Sequence, residues 1–122
     1  MKFERFVPTS FLVAVDDALT AAPSIRLVER LAAAARARVV LLHVVRSVNP
    51  AASHDTASMS LGVMQTRDSY LEARCLLWTL ADQLRGHGLD TACLVEMGDP
   101  AHVILMQAQM LSADSLVIGT HC

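Results

Sequence analysis

The sequence predicts an α/β fold in which an open, mostly parallel sheet is covered by helices on both faces. Apolar runs of strand length recur along the chain, and they are continuous rather than alternating, as strands buried on both faces read. Segments with helical periodicity separate one run from the next, which makes neighbouring strands parallel through right-handed crossovers. With 122 residues the chain is expected to form a single domain over 1–122, long enough to bury a core.

The first strand is FLVAVDD, Phe11 to Asp17, an apolar run closed by two carboxylates. An amphipathic helix follows in TAAPSIRLVERLAAAARAR, where Leu27, Val28, Leu31, Ala32 and Ala35 form one stripe and Arg26, Glu29, Arg30 and Arg36 turn away. Thr20 and Pro23 suit its capped first turn. VVLLHVV, Val39 to Val45, is the second buried strand, and a loop rich in Ser, Ala and Asn runs from Arg46 to about Ser60. A long helix is expected from about Leu61 to Arg85, with Tyr70, Leu71, Leu77, Trp78, Ala81 and Leu84 on its apolar face and Gly86-His87-Gly88 as its stop. LDTACLVE is the third strand. The next segment, GDPAHVILMQAQMLSA, opens with Asp99 as N-cap and Pro100 at the first helical position, and turns Ala101, Ile104, Leu105, Ala108 and Leu111 inward. DSLVIG is the fourth strand.

Composition narrows the function classes. With 53% hydrophobic and 18% charged residues, a disordered chain is excluded. A formal net charge of −2 leaves no footprint for nucleic acid or a membrane surface. The basic residues all lie between Lys2 and Arg85, whereas Asp90, Glu96, Asp99 and Asp114 are the only charges from Gly86 onward. The C-terminal third therefore offers no side-chain cation to an anionic ligand. Cys75, Cys93 and Cys122 are odd in number and lack metal-ligand spacing, so free thiols in a reducing cytoplasm are expected rather than zinc or a disulfide framework. The apolar run after Lys2 and Arg5 is too short for a leader or a membrane span and ends in Asp16-Asp17.

FLVAVDDALTAAPSIRLVERLAAAARARVVLLHVV resembles the opening of universal stress protein (UspA-type) domains, and VEMGDPAHVILMQAQMLSADSLVIGTHC resembles their Gly-Asp-Pro helix and the strand after it. The resemblance covers essentially the whole chain. It implies an adenine nucleotide alpha hydrolase-like, Rossmann-like three-layer α/β/α fold with strand order 3-2-1-4, the family's fifth strand and last helix being missing after the fourth strand. It also implies a phosphate-binding loop that reads glycine, two residues, glycine, nine residues, glycine and Ser or Thr. Gly119 matches the first glycine, and Cys122 stands where the second is expected. Glycines there let backbone N–H groups converge on phosphate oxygens, so the departure argues against ordinary family-type ATP binding.

Within the resemblance, Asp16 corresponds to the acidic residue beside the adenosine moiety, Val44 to a position lining the adenine pocket, and Gly119 to the start of the loop. Each has a plainer reading: Asp16 or Asp17 caps the next helix, and Val44 is core. His43 reads as a core histidine with its hydrogen bonds satisfied, Gly98-Asp99-Pro100 as a turn and cap, and His54 and His87 as solvated loop residues. The helix opened by Pro100 has an outer face of His102, Val103, Met106, Gln107 and Met110, without charge, which reads as covered or merely oily.

Two functions are expected from this. The first is a non-catalytic, cytoplasmic stress-response domain acting through a homo-oligomer (a dimer) or a protein partner, without a required cofactor or metal and without binding nucleic acid or membrane. The second is binding of ATP or AMP in the cleft of Asp16, Val44 and Gly119. Catalysis is not expected, because no carboxylate pair to hold a metal and no base is evident.

Overall fold

The apolar runs become strands because two opposite layers divide their side chains. The computed structural model describes residues 9–16, 18–46 and 56–119, with side chains over the same ranges apart from 18–20 and 56–68. The elements run β1 (Ser10–Ala14), α1 (Ala18–Ala35), β2 (Arg38–Val45), α2 (Thr56–Gly86), β3 (Thr91–Met97), α3 (Pro100–Met110) and β4 (Ser115–Ile118). The strands form one parallel sheet in the order β3-β2-β1-β4, as expected. Most of the loop expected between Arg46 and Ser60 lies outside the described residues, as do Asp17, His54 and Cys122.

Phe11, Val13 and Val15 join Val39 and Leu41 on one face of the sheet, where Ile25 and Val28 of α1 and Leu77 and Leu84 of α2 close the core. The alternate residues face the other way. Register puts Leu12 beside both Val40 and Leu116, and Ala14 beside Leu42 and Ile118. On this second face α3 packs over β2 and β3. Leu116 and Ile118, at the far side, remain exposed.

Three helix assignments differ from expectation. α1 begins at Ala18, so Pro23 lies inside it rather than in its first turn. Its buried stripe is Ala21, Ile25, Val28 and Ala32, with Leu27 and Leu31 exposed. The small alanines let the helix axis lie close to the sheet, and the larger leucines are turned out. α2 begins at Thr56 rather than near Leu61, because a Ser- and Met-rich start reads as loop while its backbone is helical. Its core face is Ala73, Leu77, Ala81 and Leu84, whereas Leu71 and Trp78 are exposed. α3 is turned by one residue, about 100°, from the expected face. Val103 and Gln107 are buried, and Leu105 is exposed. The uncharged outer face persists after the turn and holds Leu105, Met106 and Met110.

A polar clasp fastens the starts of β1 and β4. The Asp114 carboxylate accepts from Thr9 N–H and Thr9 Oγ1, both at 2.8 Å, and from Ser10 N–H at 3.2 Å. Ser10 Oγ in turn accepts from Asp114 N–H at 3.2 Å. The Thr9 backbone donor, reinforced by its hydroxyl and by Ser10, holds the Asp114 carboxyl below its ordinary range. A carboxyl whose pKa is depressed in the folded state adds stability that is complete above the unfolded value, about 3.9. That stability is lost as pH falls through the lower folded value. Acid titration of unfolding should therefore show Asp114→Asn less stable at neutral pH, with the gap to the parent closing below about pH 4. A gap that stays constant down to the acid transition would contradict this account.

Candidate functional site

Ligands of open α/β sheets sit beyond the carboxyl ends of the strands, at the point where chain connections diverge to opposite sides. Here that point is β1, flanked by β2 and β4. An open depression of about 450 Å3 lies there. The end of β1 contributes Val15 and Asp16, the end of β2 contributes His43 to Arg46, and the end of β4 contributes Ile118 and Gly119. Pro100 and Ile104 of α3 and Ser69 of α2 complete the wall. Asp16, Val44 and Gly119, which the family resemblance grouped as one cleft, border this depression.

His43 is half-buried, and its Nδ1 donates to the Val15 carbonyl at 2.6 Å. In the neutral ring this fixes the proton on Nδ1 and leaves Nε2 as an acceptor. The expected hydrogen bond is present at Nδ1, but the ring is half-buried and borders the depression rather than lying in the core. His87 is exposed in the turn after α2, as expected, and its Nε2 also lies 3.6 Å from Glu29 Oε1, an ion pair when the ring is protonated.

The entrance to α3 is built for the chain itself. Gly98 adopts φ +142°, a conformation that side-chain-bearing residues rarely take. Asp99 follows as N-cap, its carboxylate accepting from His102 N–H at 3.1 Å, and Pro100 starts the helix. A carboxylate therefore already occupies the positive end of this helix, as the turn-and-cap reading expects.

The depression's permanent cation is Arg46, which the sequence reading did not single out. Its position directly after the buried run of β2 was the available signal, because residues just beyond a strand's carboxyl end face the ligand crevice. Ser69 had no such signal, since only the packing of α2 brings it there. An apolar wall of Val44, Ile104 and Ile118 beside one guanidinium suits a flat, mainly apolar ligand with a small anionic group. Among the described residues no three His, Cys, Asp or Glu side chains gather as metal ligands. No helix among them is long and apolar enough to cross a membrane.

Solved structures share this architecture. A protein of the universal stress protein family from Burkholderia pseudomallei matches with TM-score 0.76 and 27% identity, over 97% of this chain and 86% of that one. Universal stress protein UspA from Lactobacillus plantarum matches with TM-score 0.81 and 20% identity, over 96% and 82% of the two chains. A universal stress protein family protein from Arabidopsis thaliana, solved with AMP bound, matches with TM-score 0.64 and 21% identity, over 93% and 77%. No curated protein matches the chain. The sequence profile described as the universal stress protein family spans residues 9–122, nearly the whole chain. Profile and strand order agree, and the chain belongs to the universal stress protein family.

Proposed function

We propose that this chain is a single-domain, non-catalytic stress-response protein of the cytoplasm that acts by association, as a homo-oligomer or with a protein partner. The observation that carries this reading is the apolar surface on the α3 side of the sheet. Met110 is 70% exposed, Leu105 62% and Ile118 51%, with Leu116 beside Ile118 on the same strand face. Surfaces of this kind mark contact sites more often than solvated ones. β4 is also a sheet edge among the described residues, and apolar edges are templates for pairing unless covered.

A second reading rests on the depression at the ends of β1, β2 and β4. Asp16, Val44 and Gly119 would contact an adenine nucleotide, ATP or AMP, with Val44, Ile104 and Ile118 against the base and Arg46 toward phosphate. The AMP-bound relative supports it. With one permanent cation among the described lining residues, AMP is the better fit of the two.

One sample separates these readings. Sedimentation should show a dimer or larger at tens of micromolar, and Ile118→Lys should sediment as a monomer. A monodisperse parent monomer sinks the homo-oligomer form of the association reading. Calorimetric titration with AMP tests the other: Arg46→Ala is expected to weaken binding about tenfold without altering sedimentation. No heat at millimolar AMP removes the nucleotide reading.

A further inference from the structure

β3 stands at the sheet edge opposite β4, with β2 on one side and no described strand on the other. Its pairing leaves a definite set of main-chain groups unused. Val39 N–H donates to Asp90 O at 2.8 Å, and Gly98 N–H donates to Val45 O at 3.0 Å. With Val39 opposite Thr91 and Val45 opposite Met97, parallel pairing turns the even-numbered residues from Asp90 to Gly98 toward β2. The main-chain groups of Thr91, Cys93, Val95 and Met97 therefore point away from the sheet. Arg85 already takes the first of these, donating from Nε and Nη2 to Thr91 O at 3.1 and 2.8 Å. The outward N–H and C=O groups of Cys93, Val95 and Met97 have no hydrogen-bond partner among the described residues.

A groove of about 540 Å3 runs beside this edge, walled by Tyr70, Arg74 and Trp78 of α2. Trp78 is 51% exposed, with the Arg85 guanidinium 5.7 Å from its ring centroid. The lining includes Arg74 and Arg85 and, among the described residues, no carboxylate. Asp82, outside the groove, offsets Arg85 at 3.7 Å. Arg74 has no ion pair among the described residues.

We propose that the free edge of β3 and this groove dock an extended, acidic segment of a partner polypeptide, which adds to the sheet as a further strand. Strand addition draws affinity from main-chain hydrogen bonds and specificity from side-chain pockets at alternate positions. A strand about 4.8 Å from β3 meets Cys93, Val95 and Met97 with its backbone. Acidic side chains on its α2-facing side reach Arg74, and their methylene stems lie along the Trp78 ring. A second copy of β3 does not fit: pairing about a two-fold axis sets the arginines of one copy against those of the other, and like charges oppose it. Arg85 guards the start of the strand and sets where pairing begins. This edge is opposite the β4 surface, so the proposal is independent of the association reading above.

The probe is an end-blocked, fluorescein-labelled octapeptide of alternating glutamate and valine, with a lysine-for-glutamate counterpart and an oligothymidylate as controls. The glutamate peptide should raise anisotropy saturably, change the emission of Trp78, the chain's single tryptophan, and slow amide exchange at Cys93, Val95 and Met97. Arg74→Glu, an exposed helix position, should weaken binding about tenfold at unchanged Tm. N-methylation of every second peptide amide should abolish binding. The proposal is overturned if the glutamate peptide does not bind at millimolar concentration or if the lysine peptide binds equally well. Tighter binding of the oligothymidylate, or amide protection at Leu116 to Ile118 instead, overturns it too.

Discussion

Leu77→Ala is expected to lower the stability of the fold by about 2–5 kcal/mol, the largest effect of any single change considered. Leu77 is fully buried and stands where α2 crosses the core face of the sheet, between Ala73 and Ala81 on the same helix stripe. With alanines on either side, little on α2 is able to expand into the space that truncation leaves. The cost therefore includes a cavity as well as lost transfer energy. The Leu77 carbonyl also accepts from Cys93 Sγ at 3.4 Å, so the same residue fastens α2 to β3. Domains of this size hold about 5–15 kcal/mol in total, and a loss of this order should move Tm by roughly 10–20 °C. Leu71→Ala is the control. Leu71 was expected on the apolar face from the sequence but is exposed in the structure, and its truncation should change stability by no more than about 0.5 kcal/mol. Urea unfolding of both variants decides the matter, and equal losses would mean that the face of α2 is wrongly assigned.

Gly98→Ala is expected to cost about 1–3 kcal/mol and to disturb the cleft wall. At φ +142° the backbone is strained for any residue with a side chain, and a β-carbon there would stand 3.1 Å from Val103 Cγ2. Val103 is buried under α3, and its N–H donates to Asp99 O at 2.9 Å, so it has little freedom to withdraw. Relief has to come from the β3–α3 turn. That turn carries Asp99 and Pro100, and Pro100 borders the depression with Ile104. Gly86→Ala is the matching control: nothing lies within 4 Å of a β-carbon there and its φ is ordinary. It is expected to be neutral or to stabilise by about 0.4–1 kcal/mol. Thermal unfolding of the pair measures the contrast, and a Gly98→Ala protein as stable as the parent would refute the strained-turn account.

The two predictions concern the two helix layers, on opposite faces of the sheet, that position the functional surfaces. Leu77 holds α2 against β3, and with it Tyr70, Arg74 and Trp78 beside the free edge. Gly98 sets the direction of α3, and with it the wall of the cleft and the exposed row of Leu105, Met106 and Met110. Damage at either position should therefore reach ligand and partner binding as well as stability.

From the sequence alone came the number and order of the elements, the parallel sense of the strands and the Asp99 cap. These follow from local features: FLVAV and VVLLHVV are continuous apolar runs, and a Gly-Asp-Pro turn before a periodic segment has few other uses. The same local chemistry made Asp16, Val44 and Gly119 candidates through the family resemblance. Which face of each helix goes inward was decided by the tertiary structure. Periodicity says that Leu27 and Leu31 share a side, and equally that Ile25, Val28 and Ala32 do. Choosing between such stripes depends on the distance and shape of the sheet beneath, and small residues win where the helix axis must lie close. Arg46 and Ser69 at the cleft, and Arg85 capping the carbonyl of Thr91, are of the same kind. They join residues distant in the chain or turned together by packing, and no pattern of spacing carries that information, because contact is settled only when the layers close on one another.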